Sequence, residues 1–359
     1  MKKFTVMIIA ALMIAGLSAC GTPDQEQPEE QVDYEIALVT DSGLLMDGGY
    51  SEIAWNAISE FGASEGISHK YYKAAEASSD AYKTAIDTAV SKGAKVIVAD
   101  GNSFENIVYE AQNQYPDVKF ILIDAEPADA ETGEGDIGEN TMSIMFASEE
   151  AGYLAGYCAV EEGMTNLGFM GGSRTPVIMD YGYGFLQGAD RAARERGAAV
   201  TVDYSYCASD EERESVLEKA SALYSSGEEV IFACGKNVEQ PVIEASELTG
   251  RKVIAYETDK SQMSDTVMTS AVKDIGTAIE NALEMYLDDE FPGGEVIYYN
   301  ASNDGIRLEM ENGRFENLDE SQYESVYEQL KDGEITVKKY DSGDIQSLGL
   351  TNLTINEGQ

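Results

Sequence analysis

Residues 95–124 read KVIVADGNSFENIVYEAQNQYPDVKFILID, and the order of residue types in this stretch decides the fold. Val96–Ala99 is a short, continuous apolar run, a helical stretch near 104–114 follows, and Phe120–Ile123 is a second apolar run. A strand, an amphipathic helix and another strand make a βαβ unit with parallel strands covered on both faces. Such a sheet takes ligands outside the carboxyl ends of its strands, so the residues to read are those just after each run. Here that residue is Asp100, which can face a ligand or cap the following helix.

The pattern continues in both directions. Before it stand the run Ile36–Thr40, a Gly-rich turn, and a helix over 50–63 with Ile53, Ala54, Ala57, Ile58 and Phe61 on one face. Tyr71 and Tyr72 lie in the next strand, and Tyr82, Ala85, Ile86 and Ala89 mark the next helix. Thr141–Phe146 closes this series. A second one follows: strand Leu167–Met170, helix 176–196, strand Val200–Tyr204, helix 210–225, strand Val230–Ala233, helix 238–248 and strand Val253–Tyr256. A single core stops growing near ~250–300 residues, so 359 residues in two such series predict two α/β lobes. The chain breaks near 145–150 and returns near 255–275. Helix 273–287 can pack on either lobe, and the tail from 295 reads as strand, strand, helix (318–331) and strand. Trp55 and Phe61 are expected in the core, and His69 at the surface.

Lys plus Arg number 24 against 66 Asp plus Glu, a formal charge of −42. That balance excludes nucleic acid and anionic membrane surfaces as partners, since phosphates need a basic footprint. A single histidine, His69, argues against His-rich metal sites and a Ser–His–Asp triad, and no cofactor or metal is expected. Residues 1–20, MKKFTVMIIAALMIAGLSAC, carry two lysines, an apolar stretch and small residues, the order of an export signal. Residues 21–33 are polar and acidic and read as a solvated tether. Cys158, Cys207 and Cys234 are an odd set without CxxC spacing, which points to buried core thiols. Acidic pairs such as Glu149-Glu150 and Glu161-Glu162 read as a solvated face, able to meet basic residues on a partner.

The loop after the first strand, TDSGLLMDGGYSEIAW (40–55), matches neither GxGxxG nor a P-loop, which disfavours a nucleotide-phosphate site. It puts Asp41 and Asp47 at a cleft edge with Tyr50 at a helix start. A carboxylate there accepts hydrogen bonds from ligand donors and an aromatic ring stacks on a planar group. The alternative is that both aspartates only form turns or caps. Arg174 can meet a ligand carboxylate or form an ordinary ion pair, and Tyr181 or Tyr183 can line the cleft or pack in the core.

These phrases resemble the basic membrane protein (BMP/PnrA-like) family of ABC-transporter substrate-binding lipoproteins. The resemblance rests on the 40–55 loop, on FASEEAGYLAG (146–156), GFMGGSRTPVI (168–178) with GFLQG (184–188), and VMTSAVK (267–273), in family order over about 36–340. It implies a type I periplasmic-binding fold: two Rossmann-like lobes, crossed by the chain three times, closing on a small ligand such as a purine nucleoside. By motif, Asp41 would hold the base and Tyr50 would stack on it where relatives have Phe. Asp124 matches a family Asp; Glu257 and Lys273 would bind ribose hydroxyls; Gly235 would let backbone approach the ligand. Leu17–Cys20 resembles a lipobox, implying a lipidated Cys20 on the extracytoplasmic face of a bacterial cell membrane. The departures are Asp47-Gly-Gly-Tyr-Ser for D-K-S-F-N, Glu257 for Asp, and Cys234-Gly-Lys-Asn for a run of small residues.

The expected organisation is a signal peptide over 1–19, lipid anchor and tether over 20–33, an N-terminal lobe from 34–145 plus 258–295, a C-terminal lobe from 146–257 plus 296–345, and a tail over 346–359. The expected function is that of a monomeric, non-enzymatic solute receptor delivering a nucleoside-like ligand to an ABC permease. A ligand-sensing receptor, a binder of riboflavin or a sugar, and a glycosidase using paired carboxylates are the competing readings.

Overall fold

The computed structural model describes residues 34–43, 45, 49–341 and 344–358. The expected signal peptide, Cys20, the whole of the tether and Asp47 lie outside the described residues. The first series is β1 (Ile36–Thr40), α1 (Tyr50–Glu65), β2 (His69–Lys73), α2 (Ser79–Ser91), β3 (Val96–Asp100), α3 (Glu105–Gln114), β4 (Lys119–Ile123) and β5 (Thr141–Phe146). Then come α4 (Ser148–Glu161), β6 (Asn166–Gly171), α5 (Pro176–Arg196), β7 (Val200–Tyr206), α6 (Arg213–Ser226), β8 (Val230–Cys234), α7 (Glu239–Thr249), β9 (Lys252–Glu257) and β10 (Val267–Lys273). The chain ends with α8 (Ile275–Leu287), β11 (Val296–Tyr299), β12 (Ile306–Leu308), α9 (Glu320–Lys331) and β13 (Leu353–Glu357).

The strands form two sheets, in the orders β11-β5-β4-β3-β1-β2 and β12-β10-β9-β8-β6-β7-β13. The pairs are parallel except β10 with β12. β1, β8 and β10 are buried along their whole length, as continuous apolar strands between helical layers must be. Helix ends follow local chemistry. The Ser78 hydroxyl accepts from the Ala81 amide to start α2, while α5 starts at Thr175-Pro176 and stops at Gly197 with φ 63°.

Lobe membership differs from the expected boundaries in three places. β10 lies in the second sheet, between β9 and β12, although 258–295 is expected in the first lobe. β11 pairs with β5 in the first sheet, although 296–345 is expected in the second lobe. β13, in the expected tail, pairs with β7, whose alternating burial marks it as half-covered. α8 packs on α1. The chain therefore crosses between lobes three times, near 147, 274 and 300–305, later than expected at the last two. An apolar strand carries no label for its sheet, which is why the boundaries shift.

Helix α4 has no counterpart in the sequence reading because it is buried on nearly every side and so lacks an amphipathic stripe. Its acidic pairs are not a solvated face. Glu162 accepts from the amides of Glu316, Asn317 and Leu318 at 2.6–2.9 Å, Glu161 pairs with Arg196, and Glu149 with Lys339. Trp55 is half-buried, its ring against those of His69 and Tyr71, while Phe61 is buried. The three cysteines are buried and unpaired.

α4 and α5 touch backbone to backbone. A Cβ on Gly152 or Gly156 would stand 2.2 Å or 2.0 Å from the carbonyl oxygen of Tyr181 or Phe185. Reciprocally, a Cβ on Gly184 or Gly188 would meet Glu149 or Tyr153 oxygen at 1.9 Å or 2.0 Å. Gly184→Ala is thus expected to force the helices apart and cost about 3 kcal/mol in denaturant unfolding. Gly66→Ala, at a helix end with open space around it, should cost only about 1 kcal/mol for its φ of 70°.

Candidate functional site

The carboxyl ends of both sheets open on one cavity of about 370 Å³, within the size range of small-molecule sites. The first lobe supplies Asp41 after β1, Tyr50 and Ser51 at the start of α1, Asp100 at the end of β3, and Asp124 after β4. The second supplies Lys236 after β8, Glu239 and Gln240 at the start of α7, Tyr256 and Glu257 at the end of β9, and Lys260 beyond it. Val177, Ile178 and Met263 add apolar surface.

Two acids hold a backbone conformation that side-chain-bearing residues rarely adopt: Asp124 at φ 55° and Glu257 at φ 69°. Each ends the fourth strand of its series, so the two lobes turn their chains alike at the cavity. Backbone of this kind costs ~1–3 kcal/mol and persists where surrounding structure imposes it, often at functional sites.

Asp124 Oδ2 accepts from Lys273 Nζ at 2.5 Å, and the Lys273 side chain has no exposed surface. Its ammonium also lies within 5.6 Å of the Phe146 and Tyr181 ring centroids. Because Asp124 belongs to the first lobe and Lys273 to β10 of the second, this pair ties the lobes together. Asp124 Oδ1 and the Tyr50 hydroxyl are buried without a hydrogen-bond partner. Nearer the surface, Lys236 Nζ bridges the lobes to Asp41 Oδ2 at 2.9 Å, and the Gly43 amide donates to Asp41 Oδ1 at 2.7 Å.

The electrostatics follow from burial and from the crowd of carboxyls. Burial, and then the nearby Glu257, push the Asp100 carboxyl up to about 8, although the Ser51 hydroxyl donates to it at 3.1 Å. Burial likewise raises Glu239 to about 7 against the pull of Lys260, and raises Glu257 against that of Lys273. At Asp41 burial opposes ionisation, yet Lys236 and the Gly43 amide together hold the carboxyl below its usual range. The wall is rich in acceptors, with little free positive charge to neutralise a phosphate. Among the described residues, no group of three or more His, Cys, Asp and Glu side chains is placed to hold a metal ion.

Of the residues singled out in the sequence, Asp41, Tyr50, Asp100, Asp124 and Glu257 line this cavity. Lys273 stands behind Asp124, not on the wall. Gly235 is not on the wall either: a Cβ there would lie 2.9 Å from Gly172, so its φ of 134° serves contact between two strand ends. Arg174 lays its guanidinium 4.4 Å from the centre of the Tyr206 ring, and Tyr181 and Tyr183 are core. Sequence reading passes over Ser51, Lys236, Glu239, Tyr256 and Lys260. Lys236 stands two residues past β8, where post-strand reading reaches it, but Tyr256 looks like any apolar strand residue.

Because Asp100 keeps its proton on folding to a pH well above the unfolded value, the folded state binds an extra proton between about pH 4 and 8. Its contribution to stability is full below that window and is lost as pH rises through it. Asp100→Asn should therefore flatten the fall in melting temperature between pH 5 and pH 8, measured by thermal unfolding beside the wild type. Parallel profiles for the two proteins would remove the assigned proton.

Residues 35–341 match the family described as ABC transporter substrate-binding protein, PnrA-like. The ABC transporter nucleoside-binding protein BmpA of Lactococcus lactis subsp. cremoris is 28% identical over 364 residues, spanning 94% of this chain and 99% of that protein. Basic membrane protein A of Borreliella burgdorferi is 25% identical over 303 residues, covering 83% of this chain and 84% of its own. The crystal structure of an ABC-transporter solute-binding protein from Aeropyrum pernix K1 superposes with a TM-score of 0.70 at 18% identity, over 88% of this chain and 95% of that one. The structural likeness carries the two-lobed α/β fold of type I solute-binding proteins, and the sequence match carries the kinship: the chain belongs to the PnrA-like (Bmp) family of ABC transporter substrate-binding proteins.

Proposed function

We propose that this protein captures a purine-nucleoside-like solute outside the cytoplasm and passes it to an ABC permease. The observation that carries the reading is the cavity itself, where carboxyls from both lobes surround a space that also holds the rings of Tyr50 and Tyr256. Ribose hydroxyls are donors that suit Asp124 and Glu257, and a planar base suits an aromatic face. The nucleoside-binding name of the Lactococcus relative supports the same ligand class. Lys273 acts in this reading by holding Asp124 in place, and Asp41 is shared between ligand and Lys236.

Closure works through groups that meet only when the lobes meet. The Asp124–Lys273 and Asp41–Lys236 pairs span the lobes, and a ligand touching both walls favours the closed form by its differential affinity for it. The expected export signal and lipidated Cys20 would hold a monomeric receptor at the outer face of the cell membrane, since a diacylglycerol supplies the two chains that stable anchoring needs. No helix among the described residues is long and apolar enough to cross a membrane.

The test is a thermal-shift screen of the full-length protein against nucleosides, free bases, flavins, sugars and amino acids, followed by calorimetry. A nucleoside at ~100 times its dissociation constant should stabilise the fold by about 2.7 kcal/mol. Glu257→Gln should weaken it about tenfold. A response confined to sugars or flavins would refute the nucleoside assignment while leaving the receptor class intact.

A further inference from the structure

Tyr50 lines the cavity with only 9% of its surface exposed, and its hydroxyl is buried with no hydrogen-bond partner. Burial, and then the surrounding Asp100, Asp124 and Glu257, raise its pKa well above that of an ordinary phenol, so it stays protonated and remains a donor. Three other donors of the wall already face carboxylates. Ser51 donates to Asp100, Lys236 pairs with Asp41, and Lys260 faces Glu239 at 4.0 Å. On the same lobe's wall of the cavity an acceptor is orphaned too, Asp124 Oδ1. A buried polar atom without a partner is rare and costs stability, so two of them on one cavity wall need an explanation.

We propose that the Tyr50 hydroxyl is the specificity-determining donor of the cavity, kept for a ligand hydroxyl that accepts from Tyr50 and donates onward to Asp124 Oδ1. A hydroxyl is the group that does both at a single atom, since it carries one proton and two lone pairs. The aromatic ring then serves shape and the phenolic oxygen serves selection. A ligand with hydrogen in place of that hydroxyl leaves both orphans buried and unpaired, which is how a polar site rejects an analogue. The choice of probe rests on the nucleoside reading.

The experiment compares wild type and Tyr50→Phe, full length, by calorimetric titration with adenosine, 2′-deoxyadenosine and 3′-deoxyadenosine, and by thermal unfolding without ligand. Tyr50→Phe should weaken adenosine about tenfold. It should change the affinity for one of the two deoxynucleosides by no more than about twofold. The ligand-free melting temperature should hold or rise, because an unpaired buried hydroxyl has been removed. Equal losses for all three ligands would overturn the inference, as would a lower melting temperature with adenosine affinity unchanged, which is the mark of a packing role. If none of the three binds the wild type, the nucleoside reading falls and this inference falls with it. Binding without coupling to a sugar hydroxyl sinks the inference alone.

Discussion

Backbone contact between α4 and α5 is the constraint around which the second lobe is arranged. Four glycines, two on each helix, remove the side chains that would otherwise hold the axes apart. Ridges-into-grooves packing ordinarily leaves helix axes 8–10 Å apart, and small residues at the contact are what allow a closer approach. α4 is also the element that carries the chain out of the first sheet, directly after β5, so its fit against α5 fixes where the second lobe begins. The carboxylates of a helix enclosed on nearly all sides must find partners within the protein, although Glu149 Oε2 and the Ser148 hydroxyl are left without a hydrogen bond. Glu149, Glu161 and Glu162 do this by binding Lys339, Arg196 and the amides of residues 316–318. The late segments of the chain are thereby stitched to an early helix.

The same economy governs the cleft. A buried ion pair such as Asp124–Lys273 gains little net stability, because desolvation offsets the attraction, but losing one partner leaves an expensive charge behind. Its use is positional. With one oxygen committed to Lys273, Asp124 presents the other at a defined place, and the left-handed turn at φ 55° fixes the backbone that carries it. Glu257 repeats that turn in the second lobe. The two left-handed acids thus face each other from the two lobes across one cavity.

Much of this was legible in the residues. Continuous apolar runs such as Val96–Ala99 and Phe120–Ile123 become strands buried on both faces, and the helix over 176–196 is found over those same residues. Post-strand reading finds Asp100, and family motifs find Asp41, Asp124 and Glu257 on the cavity wall. What escapes has physical reasons. α4 has no polar face to set its period, so its residues offer no helical stripe. β10 and β11 are apolar strands like any others, and only pairing reveals that they belong to opposite sheets. Lys273 carries the family's lysine but is turned away from the cavity by its bond to Asp124, a geometry that spacing does not encode. Gly235 is required by Gly172, a neighbour far away in sequence.

The placement of β11 has a consequence for how the molecule comes into being. β5, TMSIMF, is an apolar strand whose outer edge is covered only by β11, more than a hundred and fifty residues later. Until residues 296–299 are in place, the first sheet carries an open, hydrophobic, hydrogen-bonding edge, the kind of surface on which nascent chains associate wrongly. The first lobe therefore cannot finish folding before nearly all of the second has been made. A chain cut short before β11 is left with a sheet edge that invites aggregation.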